Sequence, residues 1–198
     1  MTRTIRLARP ADALAIADIY APYCKDSAIT FETVPVPTAQ MAERMQRLGE
    51  KYPWIVVDID GQVAGYAYAG QHHERAAYRW ATNVSVYVAE AHHRTGIGRA
   101  LYESLFAILG LQGFTQAIGG ITLPNDPSVG LHESLGFTLV GIYRNIGYKL
   151  GAWRDVGWWQ RPLAHNGGEP SEPLLMRAVE SLPAFPDALA GRKPRVGQ

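Results

Sequence analysis

The sequence predicts an α/β fold in which helices flank one mixed sheet, and three observations lead to this prediction. Apolar residues recur at helical spacing in some segments, whereas other segments are β-branched or alternate between polar and apolar residues. The two kinds of segment follow one another in the order β, α, α, β, β, β, α, β, α, β, β, which is typical of a mixed sheet. The composition, 47% hydrophobic and 19% charged over 198 residues, suits one globular domain with a substantial core.

The first third of the chain supplies one strand, two helices and a hairpin. Residues 4–7 alternate as a short strand, and apolar residues from 13 to 20 mark a helix that Pro22 bends or ends. Residues 29–32 form an extended patch, and Thr38 is the expected N-cap of a second helix that runs to about residue 50. Asp60-Gly61 then separates two apolar runs, which is a strong hairpin signal.

The segment from 84 to 114 is the most informative part of the chain. It begins as a strand, passes through a polar loop and continues as an apolar helix. The loop, Arg94-Thr95-Gly96-Ile97-Gly98-Arg99, places two glycines where the helix begins, so backbone N–H groups can approach an anion there. It is a candidate pyrophosphate cradle, although a turn that binds no ligand has the same pattern. Its spacing fits neither a Walker loop nor a dinucleotide fingerprint.

The second half of the chain continues the sheet and ends in a different kind of sequence. Residues 117–123 predict a buried strand, a short helix follows from Pro124 to Gly136, and residues 137–143 and 155–163 predict a last pair of strands. We expect one domain over residues 1–164. Residues 165–198 are rich in proline and glycine, and we expect a loosely ordered tail with one short helix around 174–182.

Charge and cysteine content exclude several classes of function. The formal net charge is +1, so no global field favours nucleic acid or an anionic membrane as a partner. The single cysteine, Cys24, allows no intramolecular disulfide, which fits a reducing, cytoplasmic compartment. Adjacent histidines occur at 72–73 and 92–93, but no third ligand has metal-site spacing, so no metal is expected. The N-terminus resembles no targeting signal, and no apolar run is long enough to span a membrane.

The glycine loop resembles the coenzyme-binding motif of the GNAT superfamily of N-acetyltransferases, although His93 departs from the usual first residue of that motif. Longer strings are similar to the phosphinothricin and methionine sulfoximine acetyltransferases of that superfamily, and together they cover roughly residues 3–163. These strings are Tyr52-Pro53-Trp54, Gly65 to Ala69, Arg75 to Trp80, Ser85 to Val88, Asn125 to Val129, His132 to Phe137 and Trp153 to Gln160.

This resemblance implies a GNAT fold, a mixed and mostly antiparallel sheet in which a bulge in the fourth strand splays strands four and five around acetyl-CoA. It implies direct transfer of an acetyl group to an amine in a ternary complex, with no acyl-enzyme, and it also implies a homodimer. The residues that it assigns to coenzyme binding are Val86, Tyr87, Val88, Arg94, Thr95, Gly96, Ile97, Gly98, Arg99 and Asn125. Capping of the following helix is an equally good role for Asn125.

The resemblance also implies roles in catalysis. The N–H of Val88 would donate to the thioester oxygen, and His132 would protonate the leaving thiolate, unless it is simply a structural histidine. The phosphinothricin-type enzymes have a glutamate, proposed as the base, at the position of Asn83. Because an amide cannot accept that proton, the base is open, with Glu32 or His132 acting through water as alternatives.

The acceptor implied is the amino group of a small amino acid or analogue. Phe31, Glu32, Arg75 and Tyr78 match or flank the positions that line the pocket, and the guanidinium of Arg75 suits a carboxylate or phosphinate. Two alternatives stay open. One is a GNAT transferase for another amine, such as a polyamine or a protein N-terminus. The other is a catalytically weak acetyl-CoA-binding module, for which Asn83 is the best argument.

Overall fold

The computed structural model describes residues 2–163 and 168–192. The strands are β1 Arg3–Leu7, β2 Trp54–Ile59, β3 Gln62–Gln71, β4 Ala81–Val88, β5 Gln116–Leu123, β6 Thr138–Lys149 and β7 Ala152–Pro162. The helices are α1 Ala13–Lys25, α2 Thr38–Gly49, α3 Ile97–Gln112, α4 Asp126–Ser134, α5 Met176–Glu180 and α6 Phe185–Leu189. The strands form one sheet in the order β1-β2-β3-β4-β5-β7-β6. Of the pairs described, β4 and β5 alone run parallel. The mixed, mostly antiparallel α/β sheet is therefore confirmed.

Helices cover both faces of the sheet and give it two cores. On one face, α3 buries Leu101, Leu105 and Leu109, which recur four residues apart and so share one side of the helix. On the other face, α1 and α2 bury Ile16 and Met41 among other residues. Burying a side chain of this size stabilises the fold by roughly 1.5–3 kcal/mol, so the sheet is held from both sides.

Local signals at two turns are confirmed, and the signal at one helix start is wrong. Asp60 and Gly61 have φ values of 49° and 86°, as a two-residue hairpin turn requires, and Gly136 ends α4 with a φ of 86°. The helix α1 continues past Pro22 to Lys25. Thr38 is not the N-cap of α2. Pro37 holds that position in an extended conformation, and its carbonyl accepts the first helical hydrogen bond, from Met41 N, at 2.9 Å.

The segment predicted as an extended patch, residues 29–32, is an irregular loop rather than a strand. The loop is fixed by side chains instead of a strand partner. The hydroxyls of Tyr20 and Thr30 are 2.5 Å apart, and Lys149 Nζ donates to Thr30 O at 2.7 Å. Lys149 is only 5% exposed, and burial lowers its pKa. No pattern in the sequence indicates that Lys149 binds the loop at Thr30.

The short helix expected around 174–182 is present as α5, but the described part of the C-terminal segment is not loosely ordered, because it packs on α3. Met176, Val179, Phe185 and Ala188 are buried in the same core as that helix. Gln112 Nε2, at the end of α3, donates to Leu174 O at 2.8 Å and to Lys51 O at 2.7 Å. Residues 164–167 and 193–198 lie outside the described residues, so the boundary at 164/165 and most of the basic end cannot be compared with the structure.

Candidate active site

A gap opens between the two parallel strands at the centre of the sheet. The strand β4 pairs with β5 from Ala81 to Asn83, and the pairing stops there. Beyond this point β4 stays paired with β3, and β5 stays paired with β7 through Leu123. Each strand thus follows its outer neighbour, and the space between the two strands widens. The bulge expected in β4 is absent, because its register with β3 is unbroken from Thr82 to Val88, and none is needed for the strands to part.

The backbone of β4 presents polar groups to this gap. Ala89 N donates to Ala64 O at 2.9 Å, which marks these two residues as a hydrogen-bonded pair. Since such pairs alternate along an antiparallel ladder, the N–H and C=O groups of Val86 and Val88 point away from β3 and into the gap. The hydroxyl of Tyr23 donates to Val88 O at 2.7 Å, which leaves the N–H of Val88 as a donor facing the gap.

The glycine loop lies at the wide end of the gap. Gly96 is the N-cap of α3 with a φ of 80°, and among the described residues no side chain caps this helix. The first helical bond joins Ala100 N to Gly96 O, so the N–H groups of Ile97, Gly98 and Arg99 have no helical acceptor. The hydroxyl of Thr95 donates to His92 O at 2.7 Å and shapes the loop. Free N–H groups at a helix start attract an anion.

The gap and the loop open into one cavity of about 550 Å³, a volume typical of small-molecule sites. It is lined by Tyr23, Ile29, Val86, Tyr87, Val88, His92, His93, Arg94, Gly96, Ile97, Gly98, Arg99, Asn125, Pro127, Ser128 and Leu131. Every residue predicted to bind the coenzyme is therefore in this lining, with the exception of Thr95. Sequence reasoning missed Tyr23, which comes from α1 and is far from the loop along the chain.

Two predicted residues on the β5 side of the gap have different surroundings. Asn125 lines the cavity, and its Oδ1 also accepts from Ser128 N at 3.2 Å, so it caps α4. His132 is only 4% exposed and does not line the cavity. Its Nδ1 donates to Ser128 O at 2.8 Å, and its Nε2 accepts from Tyr102 Oη at 3.1 Å. Burial lowers the pKa of His132, so the ring is neutral with both nitrogens engaged.

On the β4 side, Asn83 contacts a histidine that sequence reasoning had considered only as a metal ligand. Its Oδ1 is 2.9 Å from His72 Nδ1, and its Nδ2 donates to Gln71 O at 3.3 Å. The ring of Tyr78 lies 6.1 Å from that of His72 between centroids. The pairing of Gly70 with Asn83 brings the end of β3 beside Asn83, a register that the sequence alone does not reveal.

The remaining predicted acceptor residues are spread over two loops. The ring of Phe31 lies directly over the backbone of Gly147, where no Cβ would fit. Glu32 is paired with Arg44, with Arg44 Nη2 2.7 Å from Glu32 Oε1. Arg75 is exposed and precedes a 3₁₀ turn at 76–78 that carries Tyr78. The structure thus brings Tyr78 near His72 and Asn83, whereas no described contact joins Phe31, Glu32 or Arg75 to that group.

Comparison with known proteins identifies the family to which this fold and cavity belong. The acetyltransferase (GNAT) domain family matches residues 5–158, the span that carries the sheet, the gap and the glycine loop. The chain belongs to the GNAT acetyltransferase family. This confirms the resemblance seen in the sequence, and it makes the chain an acyltransferase by family. Within residues 2–163 and 168–192, no helix is long and apolar enough to cross a membrane, and no cluster of three His, Cys, Asp or Glu could hold a metal ion.

Individual relatives of this GNAT chain are similar over most of their length. A phosphinothricin N-acetyltransferase from Streptomyces viridochromogenes is 45% identical over 178 residues, 90% of this chain and 95% of the relative. An L-methionine sulfoximine/L-methionine sulfone acetyltransferase from Salmonella typhimurium is 35% identical over 81% of this chain and 94% of its own. The crystal structure of a phosphinothricin acetyltransferase from Sinorhizobium meliloti with acetyl-CoA has a TM-score of 0.82 and 36% identity, covering 87% and 95%.

Proposed function

We propose that this GNAT enzyme transfers the acetyl group of acetyl-CoA to the amino group of a small amino acid or analogue of the phosphinothricin or methionine sulfoximine type. The observation that carries the proposal is the gap between β4 and β5, with unpaired strand amides along one side and the glycine loop at its wide end. The curated relatives that act on such amino-acid analogues support the choice of acceptor.

The residues of the cavity fit a coenzyme with a pyrophosphate and an amide-containing arm. The free N–H groups of residues 97–99, with Arg94 and Arg99 beside them, would hold the pyrophosphate. The main chain of Val86 to Val88 would hold the arm, much as a sheet edge accepts an extra strand. Gly98 also lies in this lining, where a Cβ would come 3.4 Å from a methyl group of Leu131, an ordinary van der Waals contact.

The chemistry is attack of the amine nitrogen on the thioester carbon. The N–H of Val88 is placed to donate to the thioester oxygen as that oxygen gains negative charge, a contact worth roughly 3–4 kcal/mol in other acyl transfers. Holding the reactants together in one gap also lowers the activation barrier through orientation, by about 7–11 kcal/mol in favourable cases. We assign His132 to holding α4 against α3 and β5, since its Nε2 is bonded to Tyr102, its ring lies over Gly119, and neither of its nitrogens is free to give a proton to a thiolate.

The acceptor would enter beside Tyr78 and Asn83. Arg75 is close in sequence to Tyr78 and is exposed, so its guanidinium is available to a carboxylate or phosphinate. Phe31 and Glu32 would contribute from the opposite loop, which Lys149 ties to β6. A GNAT transferase for another amine would keep the coenzyme cavity and differ around these four residues. The amide of Asn83 is the observation that favours a catalytically weak acetyl-CoA-binding protein instead.

We also infer a homodimer, and the β6–β7 hairpin is the surface that supports it. The strand β6 is at an edge of the sheet, and seven large apolar side chains there are at least half exposed: Leu139, Val140, Tyr143, Ile146, Tyr148, Leu150 and Trp153. An edge strand with such a patch is expected to be covered by a partner. Light scattering should give twice the mass of one chain, and a mass of 21.8 kDa would contradict the inference.

Two further expectations belong to this proposal. We place the enzyme in the cytoplasm, because its single cysteine, Cys24, is buried and has no partner for an intramolecular disulfide. We keep residues 1–164 as the acetyltransferase domain and 165–198 as a C-terminal extension. Because residues 176–188 of the extension are packed on α3, its removal should lower the melting temperature.

Turnover tests the proposal directly. Thiol release from acetyl-CoA would be followed with phosphinothricin, methionine sulfoximine, methionine sulfone, the common amino acids, a polyamine and a short peptide. We expect turnover with the glutamate and methionine analogues. Turnover with the polyamine or peptide alone would favour another amine. No turnover, together with a rise in melting temperature on adding acetyl-CoA, would favour the weak binding protein.

A further inference from the structure

The end of β3 and the start of the β4–β5 gap hold a histidine–asparagine pair, and the proposed function gives its histidine, His72, no role. We propose that His72 is the base that takes the proton of the acceptor amine, and that Asn83 holds its ring in the tautomer that can do so. The inference rests on the proposed acetyl transfer and names the residue that completes it.

The hydrogen bonds of Asn83 determine which nitrogen of His72 carries the proton. The Nδ2 group of Asn83 can only donate, and it donates to Gln71 O at 3.3 Å. This places Oδ1 towards His72, 2.9 Å from Nδ1. An amide oxygen can only accept, so Nδ1 carries the hydrogen and the neutral ring leaves a lone pair on Nε2. An asparagine in this orientation therefore prepares a base at Nε2.

The position of the pair fits this role. Asn83 is the last residue of β4 that pairs with β5, so the gap opens immediately after it. Along β4 the side chains alternate between the faces of the sheet, and Val84 is buried against α3. Asn83 consequently lies on the other face, so His72 borders the start of the gap from the face opposite the coenzyme loop.

The ring contacts that the structure describes for His72 are with three other aromatic side chains. Its ring lies 4.2 Å from the ring of His73, 6.1 Å from that of Tyr78 and 6.5 Å from that of Trp158, between centroids. The titratable groups facing it in these contacts are His73 and Tyr78, and its hydrogen-bond partner Asn83 is neutral. The rings of Tyr78 and Trp158 form walls beside which an amine could lie.

The other two candidate bases are engaged elsewhere. Glu32 Oε1 is 2.7 Å from Arg44 Nη2, and both nitrogens of His132 are hydrogen-bonded in the core. In the proposed step, Nε2 of His72 takes one proton from the ammonium group through bound water, because Asn83 and Val88 are five residues, about 16 Å, apart along β4. The neutral amine then forms the C–N bond as the C–S bond breaks. Coenzyme A leaves as a thiolate and takes up the second proton that the nitrogen loses, so protons and electron pairs balance.

The test compares His72→Gln with His73→Gln, a neighbouring histidine that has no assigned role. We expect His72→Gln to lower kcat at pH 7 by about 100-fold, the lower end of the usual range for a general base. The rise of kcat with pH, which reports loss of the histidine proton, should disappear in that variant. The response of melting temperature to acetyl-CoA should be unchanged, and His73→Gln should keep both kcat and the profile. Wild-type kcat and profile in His72→Gln would overturn the inference and leave the proposed function intact.

Asn83 is tested as a positioning residue. Asn83→Asp replaces the amide with a carboxylate, which favours the charged imidazolium, so the rise of kcat should move to higher pH by about one unit. A profile that does not move would contradict the role of Asn83.

A second measurement does not depend on turnover. Imidazole ¹⁵N NMR on the wild-type protein above pH 7.5 should show His72 with its hydrogen on Nδ1. A hydrogen on Nε2 would overturn the inference, even if no acceptor of the panel were acetylated. If no acceptor were acetylated, the turnover panel would reject the proposed function. The spectrum tests only the role of His72.

Discussion

One histidine lies on each side of the gap, and the surroundings of the two histidines differ. On the β5 side, His132 is buried over Gly119 and both of its nitrogens are hydrogen-bonded within the core. On the β4 side, His72 is half-buried and one of its nitrogens is bonded, to Asn83. A histidine can move a proton only through a nitrogen that is not already committed. The sequence context of the two histidines therefore favours His132 as the catalytic residue, whereas their hydrogen bonds favour His72.

The largest expected effect is a loss of stability on the β5 side. A Cβ at Gly119 would lie 2.8 Å from Cδ2 and Nε2 of His132, so Gly119→Ala should push the ring out of its site. Overpacking of this kind costs about 1–3 kcal/mol in the free energy of unfolding. Gly141→Ala on β6 is the matched control, since nothing lies within 4 Å of its Cβ, and it should stay within about 0.5 kcal/mol. Urea denaturation measures both, and equal stabilities would show that His132 is not held as described.

Substituting each of the two histidines in turn separates a structural role from a role in proton transfer. His132→Leu leaves Tyr102 Oη and Ser128 O without a side-chain partner, so the free energy of unfolding should fall by about 2 kcal/mol. The folded variant should keep kcat within about threefold of wild type. His72→Gln should do the opposite, with a large fall in kcat and a change in stability within about 0.5 kcal/mol. A His132→Leu protein that is fully folded but inactive would return the catalytic role to His132.

The smallest effect is a pH dependence of stability. Burial lowers the pKa of His132 below its ordinary value of 6.5, so below that pH the unfolded chain binds a proton that the folded chain does not. The stability contributed by neutral His132 is therefore complete above pH 6.5 and is lost as the pH falls below it. The slope is at most about 1.4 kcal/mol per pH unit for one proton. Denaturation at pH 7.5 and 5.5 should show this loss in wild type. The difference in the free energy of unfolding between the two pH values should be smaller in His132→Gln, because the contribution of His132 is removed.

The order of the elements could be predicted from the sequence because their signals are local. The Asp60-Gly61 turn, the glycine at 136 and the apolar repeats of α3 each need only a few neighbouring residues. The signal of the coenzyme loop is also local. Its glycines and its helix are contiguous, so the cavity lining at residues 94–99 was predictable almost entirely.

The parts that could not be predicted depend on contacts between distant segments. The pairing of His72 with Asn83 requires the register of β3 against β4, and the bond from Tyr23 to Val88 joins residues 65 apart in the chain. Lys149 ties the loop at Thr30 to β6 from 119 residues away. The packing of α5 and α6 on α3 is of the same kind. The short helix expected around 174–182 is present as α5, but its packing and that of α6 need the surface that α3 provides.

We propose that acetyl-CoA binds in the gap between β4 and β5, with its pyrophosphate on the glycine loop. The most direct test is a titration of ¹⁵N-labelled protein with acetyl-CoA, in which the backbone amide signals are followed by NMR. We expect the largest changes at Val86, Val88, Ile97 and Gly98, whose N–H groups face the gap or begin α3. Saturable binding that leaves these four signals unchanged and moves amides elsewhere would contradict it.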